Sequence, residues 1–211
     1  MKEKLKKKII VIQLGARMHY AVPAILAKAG MLVCFYTDIH SNHLILKLIE
    51  FLIPKRFLFK KLKRLIGRNL PKEIDNKLVK DQFFSFLFWA NNKEKVSSLI
   101  FKNVIKDNFS GASTIYTNFI NNDIELIKRA KDKGIKVVHE LFITPNSGLI
   151  MLEEKSLFPN LEYDNETLDE VKKGIELDLL KWKLSNKILV PSKFCYHNAK
   201  EMGASKKKLS L

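Results

Sequence analysis

The sequence predicts a doubly wound α/β fold, with a mainly parallel sheet and helices on its flanks. Short apolar runs alternate along the chain with segments of helical periodicity. The runs IIVIQL and IKVVHELF are apolar almost throughout, rather than at every second position. Continuous apolar runs of this length are typical of parallel strands that are buried on both faces. The layered α/β class follows from the two observations together.

The individual elements follow in chain order. We predict strands over residues 9–14, 31–37, 113–119, 135–142 and 187–192, and helices over residues 19–29, 123–133, 166–184 and 193–202. Gly30, Gly134 and Gly203 come directly after helical segments, where a glycine in the left-handed conformation commonly ends a helix. The last predicted unit is a strand and a helix, with no further strand expected before Leu211.

Length and composition bound the class of protein. The 211 residues favour one large domain, and 46% apolar residues are enough for a core. The net charge of +16 predicts an anionic partner or surface. No uncharged apolar run approaches the ~20 residues that span a bilayer, so we do not expect the protein to cross a membrane. Its two cysteines, Cys34 and Cys195, are far apart and form no CxxC pair, which favours a reducing cytoplasm over a disulfide framework.

A basic helical segment over residues about 42–73 interrupts the α/β rhythm. Between residues 44 and 72, nine Lys and Arg residues stand against Glu50 alone. Leu58, Leu62, Leu65 and Ile66 share one face of a predicted helix, with cations around the rest of it. This pattern is typical of a helix that lies on an anionic membrane surface. The residues predicted to bind the membrane are Lys55, Arg56, Lys60, Lys61, Lys63, Arg64 and Arg68.

Two other interpretations of the basic segment stay open. An ordinary surface helix would pack its apolar stripe on the domain and leave its lysines in water. Nucleic acid is the other possible anionic partner, but the segment lacks the aromatic interleaving that stacks bases.

The loop after the first strand is a candidate binding site, because ligands of doubly wound sheets bind beyond the carboxyl ends of strands. Gly15 allows a ligand to approach the backbone, and Arg17 and His19 offer hydrogen bonds to a polar or phosphorylated ligand. A turn glycine with ordinary surface side chains is the alternative. The loop has one glycine where a dinucleotide fingerprint needs GxGxxG, so a nicotinamide or flavin domain is not expected.

A second candidate site lies at the end of the run IKVVHELF. His139 can orient a hydroxyl and Glu140 can act as a base, so both are candidate catalytic residues. A structural histidine is the alternative for His139. We predict no metal site, because His40 and His43 stand three residues apart without a third ligand nearby.

Nearly the whole sequence resembles a known enzyme family, most specifically in about its last 50 residues. The resemblance rests on KVVHELFITPNSGLIMLEEKSLFP and on IELDLLKWKLSNKILVPSKFCYHNAKEMGASKKKLSL, and more weakly on the first strand-helix-strand unit. A Glu-rich helix carrying Trp182 leads into a strand that ends in Pro191 and Ser192, and G-x-x-x-x-K-L follows from Gly203 to Leu209. In these features the chain resembles the N-terminal, acceptor-side half of GT-B-fold glycosyltransferases, most closely family 4.

The resemblance implies one Rossmann-like domain over residues 1–211, with the donor-binding domain absent from the sequence given. The full-length enzyme would transfer a sugar from a nucleotide sugar to a glycan or lipid-linked acceptor, with retention, as in polysaccharide biosynthesis. This domain alone would be inactive, would bind no cofactor or metal, and would lie peripherally at the inner face of the membrane. Nucleic acid is not expected as its partner.

Position by position, Gly15 matches the family's first-loop glycine near the acceptor, and His139 or Glu140 matches a loop that faces the cleft. The sequence has one glycine where the family commonly has a pair. A competing interpretation is a non-enzymatic basic α/β module that docks on an anionic membrane or on nucleic acid.

Overall fold

A computed structural model of the chain describes residues 7–54, 56, 58, 60–85, 92–118, 123–144, 146–159, 161 and 166–211. Its seven strands form a sheet in the order β3-β2-β1-β4-β5-β6-β7. They are β1 Ile9–Gln13, β2 Leu32–Thr37, β3 Val79–Lys80, β4 Thr114–Thr117, β5 Lys136–Glu140, β6 Lys187–Leu189 and β7 Leu209–Ser210. Parallel pairing and flanking helices confirm the predicted doubly wound α/β fold.

The described α-helices lie between these strands along the chain. They are α1 Ala21–Lys28, α2 Leu44–Leu52, α3 Lys60–Ile66, α4 Lys93–Lys106, α5 Ile124–Asp132, α6 Ser147–Leu157, α7 Leu168–Leu184 and α8 Lys193–Glu201. None of them is long and apolar enough to cross a membrane.

The chain divides into two compact units, Met1–Tyr116 and Thr117–Leu211. In the first unit, β1 pairs with β2 so that Val11 lies opposite Phe35, and β2 pairs with β3. Ile10, Val11 and Ile12 are consecutive and fully buried. Both faces of β1 are therefore covered, as its continuous apolar run predicts.

The second unit has its own core beside β5, β6 and β7. Trp182 of α7, Ile188 of β6 and Ala199 of α8 are buried in one cluster, which Leu209 of β7 completes. Thr167 precedes α7 and forms a capping box with Glu170, while Ser192 accepts a hydrogen bond from the backbone N–H of Cys195 at the start of α8. The Pro-Ser pair therefore marks the start of a helix.

Glycines end three helices as predicted. Gly30, Gly134 and Gly203 each lie one residue beyond the cap of α1, α5 or α8 and have positive φ. The next residue donates back to the preceding turn in each case, as in Ile135 N–H to the carbonyl of Ala130 at 2.9 Å.

The structure also differs from the predicted elements. The expectation of no further strand was wrong, because β7 follows the last helix and pairs with β6. A strand of two residues that follows four cationic or polar residues gives no periodic signal in the sequence. Helix α2 lies within the basic helical segment predicted over residues about 42–73, whereas α4, α6 and the two-residue β3 were not predicted. Helix α1 begins at Ala21 rather than at residue 19, because the preceding residues adopt left-handed backbone angles.

Candidate functional site

The loop after β1 is fixed by hydrogen bonds to its backbone. Gly15 has φ +68°, which favours glycine, and its N–H donates to Oδ1 of Asp38 at 2.9 Å. The buried amide of Gln13 donates to the carbonyls of Gly15 at 3.0 Å and of Arg17 at 3.2 Å. The loop therefore has a defined shape even though it lies outside the sheet, beyond the carboxyl end of β1.

Asp38 connects this loop to the basic segment. Nη1 of Arg68 lies 2.8 Å from Oδ2 of Asp38, and the hydroxyl of Thr37 donates to Oδ1 at 3.2 Å. A Cβ atom added to Gly15 would stand 3.8 Å from Nη2 of Arg68, so the guanidinium lies beside the glycine turn. The Asp38 side chain is 7% exposed and that of Arg68 is 25% exposed. A cation thus reaches solvent at the carboxyl ends of β1 and β2.

Three consecutive residues of the same loop hold strained backbone. Met18, His19 and Tyr20 have φ values of 48°, 51° and 61°, a region that costs an L-residue roughly 1–2 kcal/mol. Tyr20 is fully buried, its ring contacts Phe35 edge-on, and its hydroxyl donates to the carbonyl of Ile39 at 3.3 Å. Burial raises the pKa of the Tyr20 hydroxyl, so it remains a donor. The anchored tyrosine holds His19 outward on the surface.

Sequence reasoning placed Gly15, Arg17 and His19 in one loop, and the structure shows how that loop is held. It missed Asp38 and gave Arg68 a different role, as a membrane cation. The position directly after β2 is the signal for Asp38, because the carboxyl ends of parallel strands are where ligands bind. Nothing in the sequence pairs Arg68 with it.

In the second unit, Glu140 ends β5 at a polar edge. Nδ2 of Asn118, one residue after β4, donates to Oε2 of Glu140 at 3.3 Å. Glu140 is partly exposed, whereas its neighbour His139 is 2% exposed. The two predicted catalytic residues therefore have different access to solvent.

His139 is buried beside a cation. Burial, and next the charge of Lys181, lower the pKa of the imidazole from 6.5 to about 3. Its Nδ1 has no hydrogen-bond partner among the described residues. The ring is therefore neutral near pH 7 and out of reach of a substrate in this conformation.

A buried ionic cluster lies next to His139. Nζ of Lys181, on α7, is 3.1 Å from Oδ1 of Asp123 and 3.7 Å from Oδ1 of Asp178; the side chains of Lys181 and Asp123 are fully buried. The hydroxyl of Thr117 donates to Oδ2 of Asp123 at 3.2 Å. Burial raises the pKa of Asp123, against the opposing effect of Lys181, and raises that of Asp178 to about 6. Since solvent is excluded from the pair, we interpret it as structural.

The predicted membrane residues lie in different surroundings. Arg56, Lys60, Lys63 and Arg64 are exposed, and Arg68 contacts Asp38. Lys55 and the side chain of Lys61 lie outside the described residues. The apolar stripe is not available to lipid: Leu58 and Ile66 are buried, and Leu62 and Leu65 pack against Ile39, Leu46 and Phe83. The apolar stripe therefore packs on the protein, as the interpretation of an ordinary surface helix predicts.

His40 and His43 each have another partner. Nε2 of His40 lies 3.3 Å from Oδ2 of Asp81, and the ring of His43 stacks on Phe83 with centroids 3.8 Å apart. Burial lowers the pKa of His40, although Asp81 opposes the shift. Within the described ranges, no group of three or more His, Cys, Asp or Glu residues is arranged to hold a metal ion.

No protein-family model and no curated protein matches the sequence. Among solved structures, the chain is similar to a UDP-glucosyltransferase from Polygonum tinctorium that is capable of glucosylating indoxyl, in a complex with 3,4-dichloroaniline. The identity is 13% and the TM-score 0.42, over 96% of this chain and 50% of that one. The chain thus spans half the length of that protein, and a similarity at this level assigns no activity.

Proposed function

We propose that the chain is the acceptor-binding half of a glycosyltransferase, which transfers a sugar from a nucleotide sugar to a glycan or lipid-linked acceptor with retention. The observation that carries the proposal is the loop after β1, where Gly15, Asp38 and Arg68 form a fixed polar edge with a solvent-accessible guanidinium. The motifs around Trp182 and Pro191 support the same family. The donor would bind to a second domain of the full-length protein.

The chemistry of the loop suits an acceptor that carries hydroxyl and phosphate groups. The guanidinium of Arg68 is oriented by Asp38 and keeps a quarter of its side chain exposed, so it can donate to a phosphate oxygen. Arg17 and His19 add donors from the same loop. A neutral sugar hydroxyl would accept hydrogen bonds from the same groups, but these bonds would be weaker because the hydroxyl carries no charge.

Glu140 is the better candidate of the two catalytic residues, because its carboxylate is partly exposed while the His139 ring is buried. We propose that Glu140 accepts a hydrogen bond from an acceptor hydroxyl and that His139 positions the strand behind it. The partners of the full enzyme are then the acceptor, the donor domain and an anionic membrane at whose inner face the protein lies.

Chemical-shift mapping of the chain tests the acceptor proposal. A soluble glycosyl phosphate and a neutral oligosaccharide are titrated separately into the wild type and into the Arg17→Ala and His19→Ala variants. We expect shifts at Gly15, Asp38 and Arg68, with about tenfold weaker binding of the glycosyl phosphate by Arg17→Ala. Lys28→Ala, an exposed cation on α1, is the matched control and should bind as the wild type does.

The same titration distinguishes the acceptor-binding domain from a non-enzymatic basic module. Such a module would show no chemical-shift changes at the loop with either sugar, and a single-stranded oligonucleotide would instead change the chemical shifts of the cationic residues of α3. That result would refute the acceptor site.

A further inference from the structure

Helix α2 presents a row of large apolar side chains to solvent. Leu44, Leu48, Phe51 and Leu52 are 82%, 57%, 86% and 64% exposed. Their spacing of four, three and one residues places them on one side of the helix, where Ile45 extends the row. A single exposed leucine is ordinary, but a contiguous apolar patch marks an interaction site.

The opposite side of α2 fixes the helix to the protein. Leu46 is buried with Ile39 and Phe83, and Ile49 packs against the same cluster. Because this side supplies the packing of the helix, the exposed row contributes little to folding. The row is therefore apolar surface in excess of what the fold uses.

Cations accompany the exposed row. Lys47 lies on the same helix, and Lys60, Lys63 and Arg64 are exposed on α3, which contacts α2. Between residues 44 and 66, Glu50 is the single acidic residue of the sequence. An apolar row with cations on the same helix and on the neighbouring one matches a bilayer interface that carries anionic headgroups, which attract Lys and Arg near the surface.

We propose that α2 inserts the row of Leu44, Leu48, Phe51 and Leu52 into the acyl boundary of an anionic bilayer, while the exposed cations of α3 contact the headgroups. The inserted surface differs from the stripe predicted from the sequence, which is packed on the protein. A second copy of the chain is the less favourable occupant, because two such surfaces would bring like charges together. The insertion rests on the membrane partner of the proposed function and names the surface that would meet it, but it can be tested separately from sugar binding and sugar transfer.

Vesicle co-sedimentation without any sugar tests the insertion. The wild type is compared with the double variant Leu48→Ser, Phe51→Ser on vesicles of phosphatidylcholine with and without phosphatidylglycerol. We expect binding to the anionic vesicles, and a loss of at least about tenfold for the variant, since the removed apolar area drives insertion. Ile25→Ser changes another exposed apolar residue, on α1, and this variant should bind as the wild type does.

Four further results decide between insertion of α2, binding by charge alone and dimer formation. An unchanged Tm of the double variant shows that its fold is intact, and Phe51→Trp should add blue-shifted emission, relative to the wild type, on anionic vesicles only. If Lys63→Glu with Arg64→Glu weakens binding and the α2 variant does not, binding is by charge alone and insertion is overturned. A dimer in solution that the α2 variant dissociates would equally overturn the proposal in favour of a second copy.

Discussion

Nη1 of Arg68 lies 2.8 Å from Oδ2 of Asp38, and this ion pair joins the basic segment to the loop after β1. Oδ1 of the same carboxylate accepts the N–H of Gly15. Asp38 thereby orients a glycine turn with one oxygen and a guanidinium with the other. The arrangement couples the stability of the loop to Arg68, which lies thirty positions beyond Asp38 in the chain.

Replacing Arg68 should destabilise the protein moderately. Arg68→Met leaves the nearly buried carboxylate of Asp38 with only the Gly15 N–H and the Thr37 hydroxyl, so we expect a loss of about 1–2 kcal/mol in the free energy of unfolding by urea. Arg64→Met, at an exposed position on α3, should change it by less than about 0.5 kcal/mol. Equal effects of the two variants would show that the pair with Asp38 adds nothing.

Breaking the buried pair in the second unit should cost more. Lys181→Met leaves the fully buried Asp123 without its cation, and we expect a loss of about 3–5 kcal/mol, measured by denaturant unfolding. Adding Asp123→Asn removes the uncompensated charge and should recover part of this loss. A double variant as unstable as the sum of the two single variants would contradict the coupling.

Acidification should reveal the buried imidazole. The pKa of His139 is about 3 in the folded protein and 6.5 in the unfolded reference, so between these values the unfolded chain binds the additional proton. Stability contributed by the neutral ring is therefore lost as the pH falls below 6.5. His139→Gln should flatten the dependence of unfolding free energy on pH by up to about 1.4 kcal/mol per pH unit.

Asp178 should change the pH dependence of stability in the opposite direction to His139. Its pKa is raised from 3.8 to about 6, so on acidification the folded protein takes up this proton before the unfolded chain does. That uptake offsets part of the loss due to His139. Asp178→Asn should accordingly steepen the decline of stability between pH 6 and 4, and a flatter decline would contradict the assignment.

Two glycines of the second unit should respond oppositely to alanine. At Gly148 of α6, a Cβ atom would lie 2.8 Å from Cγ1 of Val171 on α7, so Gly148→Ala should cost about 1–3 kcal/mol by overpacking. At Gly174, inside α7, nothing lies within 4 Å of the added Cβ. Gly174→Ala should stabilise the protein by about 0.5–1 kcal/mol in thermal or denaturant unfolding, through better helix propensity.

The parts of the fold that follow from local sequence were predictable. The buried runs of β1 and β5 and the glycines after α1, α5 and α8 are signals carried within a few residues. The pairing of Arg68 with Asp38 was not predictable, because it depends on tertiary contact between distant segments. Helix α2 is apolar on both sides, so its sequence could not show which side is buried.

The ionic pair of Lys181 and Asp123 restricts how α7 can lie along its neighbours. A shift of this helix by one residue translates each side chain by about 1.5 Å and turns it by roughly 100°, which would carry Nζ away from a carboxylate 3.1 Å distant. Apolar contacts tolerate such a shift more readily than a desolvated charge does. The pair therefore selects one axial position and one rotation of the helix, and Trp182, the next residue along, enters the core in a single orientation.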